Sequence, residues 1–226
     1  MISVFMGMFY PQRLAIPASR VEAAKPLALE VVDRMLGAAT LVASVPVIAA
    51  SALAVSALSR RSPFIAIERV GQSGRSFWML KLRTMWDSKA NASGSGLCEY
   101  IREAWVPEEK GTSDPRVTSV FARFCRRFSI DELPQLWHVA SGEMSMVGPR
   151  PLTAQEISKH YQRAAHEMLS ARPGLTGLWQ VRGRNSLSYR QRRKLDLHLV
   201  RNFSWRLYLF ILWRTIPSVF AGRNAG

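Results

Sequence analysis

Residues 35–59 read MLGAATLVASVPVIAASALAVSALS, which is a run of 25 residues without a charge. A helix of that length reaches about 37 Å, and the hydrocarbon core of a bilayer is about 30 Å thick. The run therefore predicts either a membrane-inserted helix or a buried core helix, and its length favours the membrane.

Pro46 lies near the middle of this run, where it removes a backbone hydrogen bond and bends a helix. Ser44, two residues earlier, is predicted to satisfy a freed carbonyl. Both flanks are basic, with Lys25 and Arg34 before the run and Arg60 and Arg61 after it. Because basic flanks stay on the cytoplasmic side, neither end is marked as external. We predict a re-entrant hairpin broken at Pro46, which enters and leaves the same leaflet, rather than a full crossing.

The chain as a whole is strongly basic, with a formal net charge of +15 and more arginine than lysine. Such a surplus predicts an anionic partner: nucleic acid, acidic lipid headgroups or phosphorylated small molecules. No zinc-finger, RNP or helix-turn-helix signature is present, which argues against nucleic acid. Basic residues spread beside apolar stretches are instead typical of contact with anionic membrane lipids and a phosphorylated lipid.

Beyond Pro63 the pattern changes from one long run to short elements. Two apolar segments, Phe64–Ile67 and Phe77–Leu80, flank a Gly-rich turn and predict a β-hairpin. Residues 88–114 are polar and predict a loop or small insertion, and helical patterns follow from Val117 onward. We therefore predict an α+β, mostly helical fold with an N-terminal arm (1–24), a membrane-inserted helix (25–62) and a C-terminal domain (63–226).

The C-terminal stretch places large apolar residues on one helical face: Trp205, Leu209, Leu212, Trp213, Ile216 and Phe220. Periodicity alone fits a core-facing helix equally well. The tryptophans and the nearby arginines favour an amphipathic helix that lies in the plane of the lipid headgroups.

The densest group of chemically reactive residues lies between Ser129 and Trp137. Ser129 and Glu132 have the spacing of a capping box, but Pro134 does not suit that register, so the helix is predicted to begin near Asp131 or Glu132. Arg126 and Arg127 lie shortly before this acidic pair, and Arg150 follows later in the chain, held between two prolines. The pair could hold a divalent cation while arginines bind phosphate, or the group could be a structural salt-bridge cluster.

The motifs around this pair resemble the bacterial sugar transferase family, the monotopic polyprenyl-phosphate phosphoglycosyl transferases in their small single-domain form. The resemblance runs from about Lys25 to Phe220, in the family's order. The segments that carry it are Lys81–Met85, Asp131–Leu136, Gly142–Pro151, Arg172–Gly177, Gln180–Arg184 and Leu195–Asp196. Departures include Ser62 before Pro63, His138 where Asn is usual, and His198 where Tyr is common.

The resemblance implies a reaction at the acidic pair. Asp131 would be the nucleophile that attacks the sugar-bearing phosphorus of a UDP-sugar, UDP-glucose or UDP-galactose being favoured, and expels UMP. Polyprenyl (undecaprenyl) phosphate would then take the phosphosugar from the aspartyl intermediate. Glu132 would be a metal ligand or base, and Mg²⁺, or Mn²⁺, would be held partly by Asp131 and Glu132.

The remaining implied site residues bind substrate or phosphate: Lys81, Arg83, Arg126, Arg150, Arg184 and Asp196. The implied setting is the cytoplasmic face of the bacterial inner membrane, at the first step of exopolysaccharide or related surface-glycan synthesis. Later glycosyltransferases of the same pathway would be partners. A non-catalytic membrane scaffold of the same fold is the alternative, and the acidic pair argues against it.

Overall fold

The computed structural model describes residues 27–86, 96–102, 119–183 and 186–220. The predicted N-terminal arm, 1–24, and Arg184 lie outside them. The helices are α1 Leu27–Ser59, α2 Val120–Arg127, α3 Leu136–Ser141, α4 Ala154–His160, α5 Ala165–Leu169, α6 Leu178–Arg182, α7 Tyr189–Arg201 and α8 Trp205–Phe220. The strands are β1 Phe64–Val70, β2 Ser76–Leu82, β3 Cys98–Ile101, β4 Ser145–Val147 and β5 Gly174–Thr176. The α+β, mostly helical class is confirmed.

The long helix α1 begins eight residues before the uncharged run and ends with it. It is long and apolar enough to cross a membrane by length and composition, and only 11% of its most apolar window is buried. Its helical backbone continues through Pro46, so a break at that residue is not confirmed. Ser44 Oγ donates to the carbonyls of Thr40 and Leu41, whereas the carbonyl that a proline at 46 deprives of its partner is four residues earlier, at Val42.

The predicted hairpin is confirmed and is longer than the two apolar segments. β1 and β2 pair antiparallel from Phe64↔Leu82 to Val70↔Ser76, and the turn contains a short 3₁₀ segment, Gln72–Gly74. Alternate residues share a face of the sheet, and cross-strand partners share it too. Lys81 therefore lies on the same face as Phe77, Met79 and Arg69.

The insertion at 88–114 was predicted as a loop, and this prediction is wrong for part of it. Cys98–Ile101 forms β3, which adds to β1 as a parallel edge strand. Long-range contacts fix this strand, since Arg83 pairs with Glu99 and the ring of Tyr100 packs edge-on against Trp78. A four-residue strand surrounded by polar residues leaves no periodic pattern in the sequence.

The acidic motif forms a 3₁₀ segment, Ile130–Gln135, which leads directly into α3. Ser129 has left-handed backbone geometry (φ 56°) and makes no side-chain cap, so the capping-box interpretation is wrong, as Pro134 indicated. Asp131 and Glu132 lie in the first turn, as predicted, but that turn is 3₁₀ rather than α-helical.

The C-terminal helix α8 had two interpretations, a core-facing helix and a helix in the plane of the lipid headgroups. Tyr208 and Ile211 are buried in a core cluster with Leu29, Val147, Leu178 and Leu199. The predicted apolar face points away from that core, with Leu209 58% and Trp213 73% exposed. Leu212 is partly buried, and the side chain of Phe220 lies outside the described residues. The interpretation of this apolar face as core-facing is therefore wrong for most of its residues.

Candidate active site

A buried ion-pair cluster joins the hairpin to the acidic motif. Lys81 Nζ on β2 lies 3.0 Å from Asp131 Oδ2 and 3.5 Å from Glu132 Oε1. The Asp131 side chain is 5% exposed, whereas that of Glu132 is 39% exposed. The two neighbouring carboxylates therefore differ in setting: Asp131 is held in place by the lysine, and Glu132 faces the surface.

The electrostatics of this cluster depend on its burial. Burial raises the pKa of the Asp131 carboxyl, the Lys81 ammonium opposes that effect, and Glu132 adds to it. Burial also disfavours the charged form of Lys81, but the two carboxylates outweigh it and raise the pKa of that amine. Arg126 on α2 lies close enough for its charge to lower the pKa of both Asp131 and Lys81. One ammonium thus faces two carboxylates in a poorly solvated site, a setting typical of functional carboxylates.

The residues predicted to bind phosphate lie in different parts of the structure. Lys81 and Arg126 lie with the acidic pair. Arg83 is buried and donates from Nε to the carbonyl of Ser62 at 2.7 Å, and it pairs with Glu99, so its described contacts brace the hairpin. Its predicted role in phosphate binding stays a prediction.

Arg150 and Asp196 form a second group with residues that the sequence did not single out. The Arg150 guanidinium lies over the Trp179 ring, 5.3 Å from its centroid. Asp196 is 1% exposed and accepts a 2.6 Å hydrogen bond from the hydroxyl of Tyr161. Burial raises the pKa of Asp196 to about 7. The backbone N–H and the charge of Arg150 both favour the ionised form of Asp196, so these two residues lie together. Their predicted place in one active site with the acidic pair stays a prediction.

His138 is a further residue of this region, and the sequence marked it only as a departure from the family pattern. Its Nε2 accepts a 3.0 Å hydrogen bond from the backbone N–H of Leu80, next to Lys81. That bond places the ring proton on Nδ1, which lies 2.6 Å from Glu143 Oε2, and the hydrogen bond lowers the pKa of Glu143. His138 thus ties α3 to the strand that presents Lys81.

We expect His138→Phe to lower both the melting temperature and kcat. The substitution keeps a ring against Phe77 but leaves the N–H of Leu80 without its acceptor, which costs about 1–3 kcal/mol. His138→Gln, whose amide oxygen reaches about as far as Nε2 and supplies an acceptor, should recover most of the loss. A His138→Phe protein with the melting temperature and kcat of the parent would contradict a positioning role.

The acidic pair suits magnesium only in one binding mode. In the described ranges, no group of three or more His, Cys, Asp or Glu side chains lies together. Mg²⁺ is commonly bound by one or two carboxylates together with water and substrate phosphates. Asp131 and Glu132 fit that mode, in which the ion arrives with a phosphorylated substrate.

The chain thus combines a helix that is long and apolar enough to cross a membrane with a buried carboxylate beside a lysine and an arginine, a setting typical of functional sites. The family described as bacterial sugar transferase matches residues 24–222 of this chain. The chain belongs to this bacterial sugar transferase family.

Named relatives agree with that assignment. Exopolysaccharide production protein ExoY of Sinorhizobium fredii is 42% identical over 170 residues, which cover 73% of this chain and 73% of that protein. The UDP-glucose:undecaprenyl-phosphate glucose-1-phosphate transferase of Caulobacter vibrioides is 37% identical over 188 residues, 80% of this chain and 65% of that protein. The undecaprenyl-phosphate galactose phosphotransferase of Salmonella typhimurium is 38% identical over 154 residues, 67% of this chain and 32% of that protein.

Proposed function

We propose that this enzyme transfers a sugar 1-phosphate from a UDP-sugar, with UDP-glucose or UDP-galactose favoured, to polyprenyl (undecaprenyl) phosphate and releases UMP. The reaction would start the synthesis of an exopolysaccharide or a related surface glycan. The observation that carries the proposal is the buried Asp131 carboxylate held 3.0 Å from the Lys81 ammonium inside the family's acidic motif. The names of the relatives supply the donor and the acceptor.

The chemistry would proceed in two displacements. An Asp131 oxygen attacks the sugar-bearing phosphorus, and the bond from that phosphorus to the UMP oxygen breaks, so UMP leaves with the electron pair. A polyprenyl phosphate oxygen then attacks the same phosphorus and releases the Asp131 carboxylate unchanged. Splitting one displacement into two is the usual advantage of a covalent intermediate.

The neighbours of Asp131 suit these steps. The Lys81 ammonium favours the ionised carboxylate against the effect of burial, which keeps the nucleophile available. Arg126 and Lys81 add positive charge where a diphosphate would lie. Magnesium, or manganese, held by Asp131 and Glu132 with the substrate phosphates would offset further negative charge.

The packing of α1 supports the re-entrant hairpin. Near its start, Leu29 is buried in the C-terminal domain, and Asp33 accepts hydrogen bonds from the Met146 N–H and the Tyr208 hydroxyl. Near its end, Val55 is buried in a cluster of the same domain with Leu82 and Cys125.

A straight helix would separate Leu29 from Val55 by about 39 Å. If such a helix crossed the bilayer, the two residues would lie near opposite surfaces, and one domain could not contact both. The middle of the helix is exposed, as at Val42 and Val45. An arrangement with both arms on the cytoplasmic face and the middle of the helix in the membrane fits these contacts. The active site would then lie at the cytoplasmic surface of the inner membrane.

The exposed apolar face of α8 supports a second contact with the membrane. Trp205, Leu209 and Trp213 are exposed there, and Arg206 and Arg214 lie in the same helix. Such a helix fits the headgroup plane, where anionic lipids attract arginine. Later glycosyltransferases of the pathway would then meet the lipid-linked product at this surface.

Cysteine accessibility tests the hairpin. In a chain without Cys98 and Cys125, single cysteines at Ser19 and Arg75 should both resist an impermeant thiol reagent in intact cells and react after lysis. Arg75 is an exposed turn residue of the C-terminal domain, whereas Ser62 is only 3% exposed and would resist the reagent on either side. Labelling at position 19 alone in intact cells would mean a true crossing. Pro46→Leu, which would remove the proposed bend, should shift the protein toward that result.

A turnover assay tests the reaction as a whole. The detergent-purified protein is mixed with polyprenyl phosphate, Mg²⁺ and one UDP-sugar at a time, and nucleotide products are separated. We expect UMP and a lipid-linked phosphosugar, and we expect loss of both after chelation of the metal. Release of UDP in place of UMP would contradict the proposal, because UDP is the product of a direct glycosyl transfer.

A further inference from the structure

Three arginines converge near the far end of the hairpin from the acidic pair; we refer to Arg69, Arg150 and Arg192 as the arginine cluster. Arg69, on β1, lies on the face of the sheet that carries Lys81. Its cross-strand partner Phe77 is four residues from Lys81 along β2, which is about 13 Å. The next residue, Val70, donates its N–H to the Leu152 carbonyl at 2.9 Å, and this bond brings Arg69 beside the segment that holds Arg150.

Trp179 joins two members of the cluster. Its ring lies 5.3 Å from the Arg150 guanidinium carbon and 5.1 Å from that of Arg192. Arg192 and Asp196 are four residues apart on α7, so both project from one side of that helix. The three arginines therefore come from the hairpin, the segment after β4 and α7, and Trp179 on α6 packs against two of them.

The three arginines of the cluster carry more positive charge than the two nearby carboxylates can neutralise. Burial lowers the pKa of Arg69 to about 10; the charge of Glu156 opposes this effect, and the charge of Arg150 adds to it. Burial and Arg150 likewise lower the pKa of Arg192. Of the two nearby carboxylates, Glu156 is already engaged in the capping box of α4. Cations held together against their repulsion are typical of a site for an anion, and arginine suits phosphate especially.

Unpaired polar atoms converge at the same place. Among the described residues, the buried atoms Trp179 Nε1, Arg192 Nε and Asp196 Oδ1 have no hydrogen-bond partner. The backbone N–H of Arg150 lies close enough to Asp196 to favour its ionised form. Buried polar atoms are normally satisfied, and three together indicate a bound group with both acceptors and donors.

We infer that the arginine cluster binds a ligand that carries both phosphate and hydroxyl groups, namely the nucleotide portion of the sugar donor. The arginines and Trp179 Nε1 would donate to phosphate or ribose oxygens, and Asp196 would accept from a hydroxyl. Polyprenyl phosphate offers a phosphate but no hydroxyl, so it does not match Asp196. This inference rests on the proposed function and adds Arg69, Arg192 and Trp179 to the donor site.

Binding of UMP to the full chain in detergent, measured by calorimetry, tests this assignment. Arg192→Met should weaken UMP binding about tenfold or more, because it removes a charged hydrogen-bond donor. Arg69→Lys, which keeps the buried charge but loses the fork, should also weaken it. Arg190→Met, an exposed arginine two residues from Arg192, is the matched control and should bind UMP as the parent does. Farnesyl phosphate, a short polyprenyl phosphate, should bind all four proteins alike.

Asp196→Asn separates the hydroxyl contact from the phosphate contact, because it should weaken UMP binding while inorganic phosphate binds as before. Unchanged UMP affinity in both arginine variants, or a loss of farnesyl phosphate affinity instead, would overturn the assignment of the cluster to the donor. Unchanged UMP affinity in Asp196→Asn would overturn the hydroxyl contact. Such results with a parent enzyme that still releases UMP from UDP-sugar would leave the proposed function standing.

Discussion

Asp131→Asn is expected to lower UMP release by about 10⁴-fold or more, the scale seen when a covalent nucleophile is removed. An amide cannot form the acyl phosphate, and Glu132 is a poor replacement because its side chain is 39% exposed, whereas that of Asp131 is 5% exposed. The initial rate of UMP formation with saturating UDP-sugar and polyprenyl phosphate is the measurement.

Glu132→Gln is the matched control for this experiment, since it removes the neighbouring carboxylate and an equal charge. We expect it to be severely impaired as well, but with activity that recovers in part at high magnesium. Removal of the Glu132 charge should also lower the pKa of Asp131, because that charge raises the pKa in the parent. An Asp131→Asn protein that turns over like the parent would exclude the covalent mechanism.

Lys81→Met is expected to reduce kcat about 100-fold or more, a loss typical of removing a positioned electrostatic group. The ammonium lies 3.0 Å from Asp131 and opposes the burial that raises the pKa of that carboxyl. Without it the pKa rises further, so the carboxylate is protonated at higher pH. The acid limb of the pH–rate profile should therefore move to higher pH in Lys81→Met.

Lys81→Arg retains the charge and should keep the acid limb near that of the parent, even if its geometry lowers kcat. The pH profile thus separates an electrostatic role from a structural one, and a melting curve checks that both variants fold. A Lys81→Met profile that coincides with the parent's on the acid side would contradict the electrostatic role.

The parts of the structure that local pattern specifies were predicted from the sequence. Uninterrupted hydrophobicity predicted the helix that ends at Ser59, two short apolar segments and a glycine turn predicted the β1–β2 hairpin, and Pro134 excluded Ser129 as a helix cap. The sequence also placed Asp131 and Glu132 in the first turn of a helical segment, and they lie there.

What the sequence did not reveal depends on contacts between distant residues. His138 bonds a backbone N–H 58 residues away, and Asp33 accepts from Tyr208 across 175 residues. Neither pairing leaves a periodic signal. The charged residues Glu30 and Asp33 lie inside α1, before its uncharged run, and Arg172 and Tyr208 supply the partners that no local pattern identifies.

A partial reaction tests whether the sugar phosphate passes through a covalent bond to Asp131. The purified protein is mixed with UDP-sugar labelled at the sugar-bearing phosphorus, with Mg²⁺ and without polyprenyl phosphate. We predict about one equivalent of UMP, label that stays with the denatured parent protein but not with Asp131→Asn, and release of that label into lipid when polyprenyl phosphate is added. UMP that forms only when the acceptor is present, with no label on the protein, would exclude the covalent intermediate on Asp131.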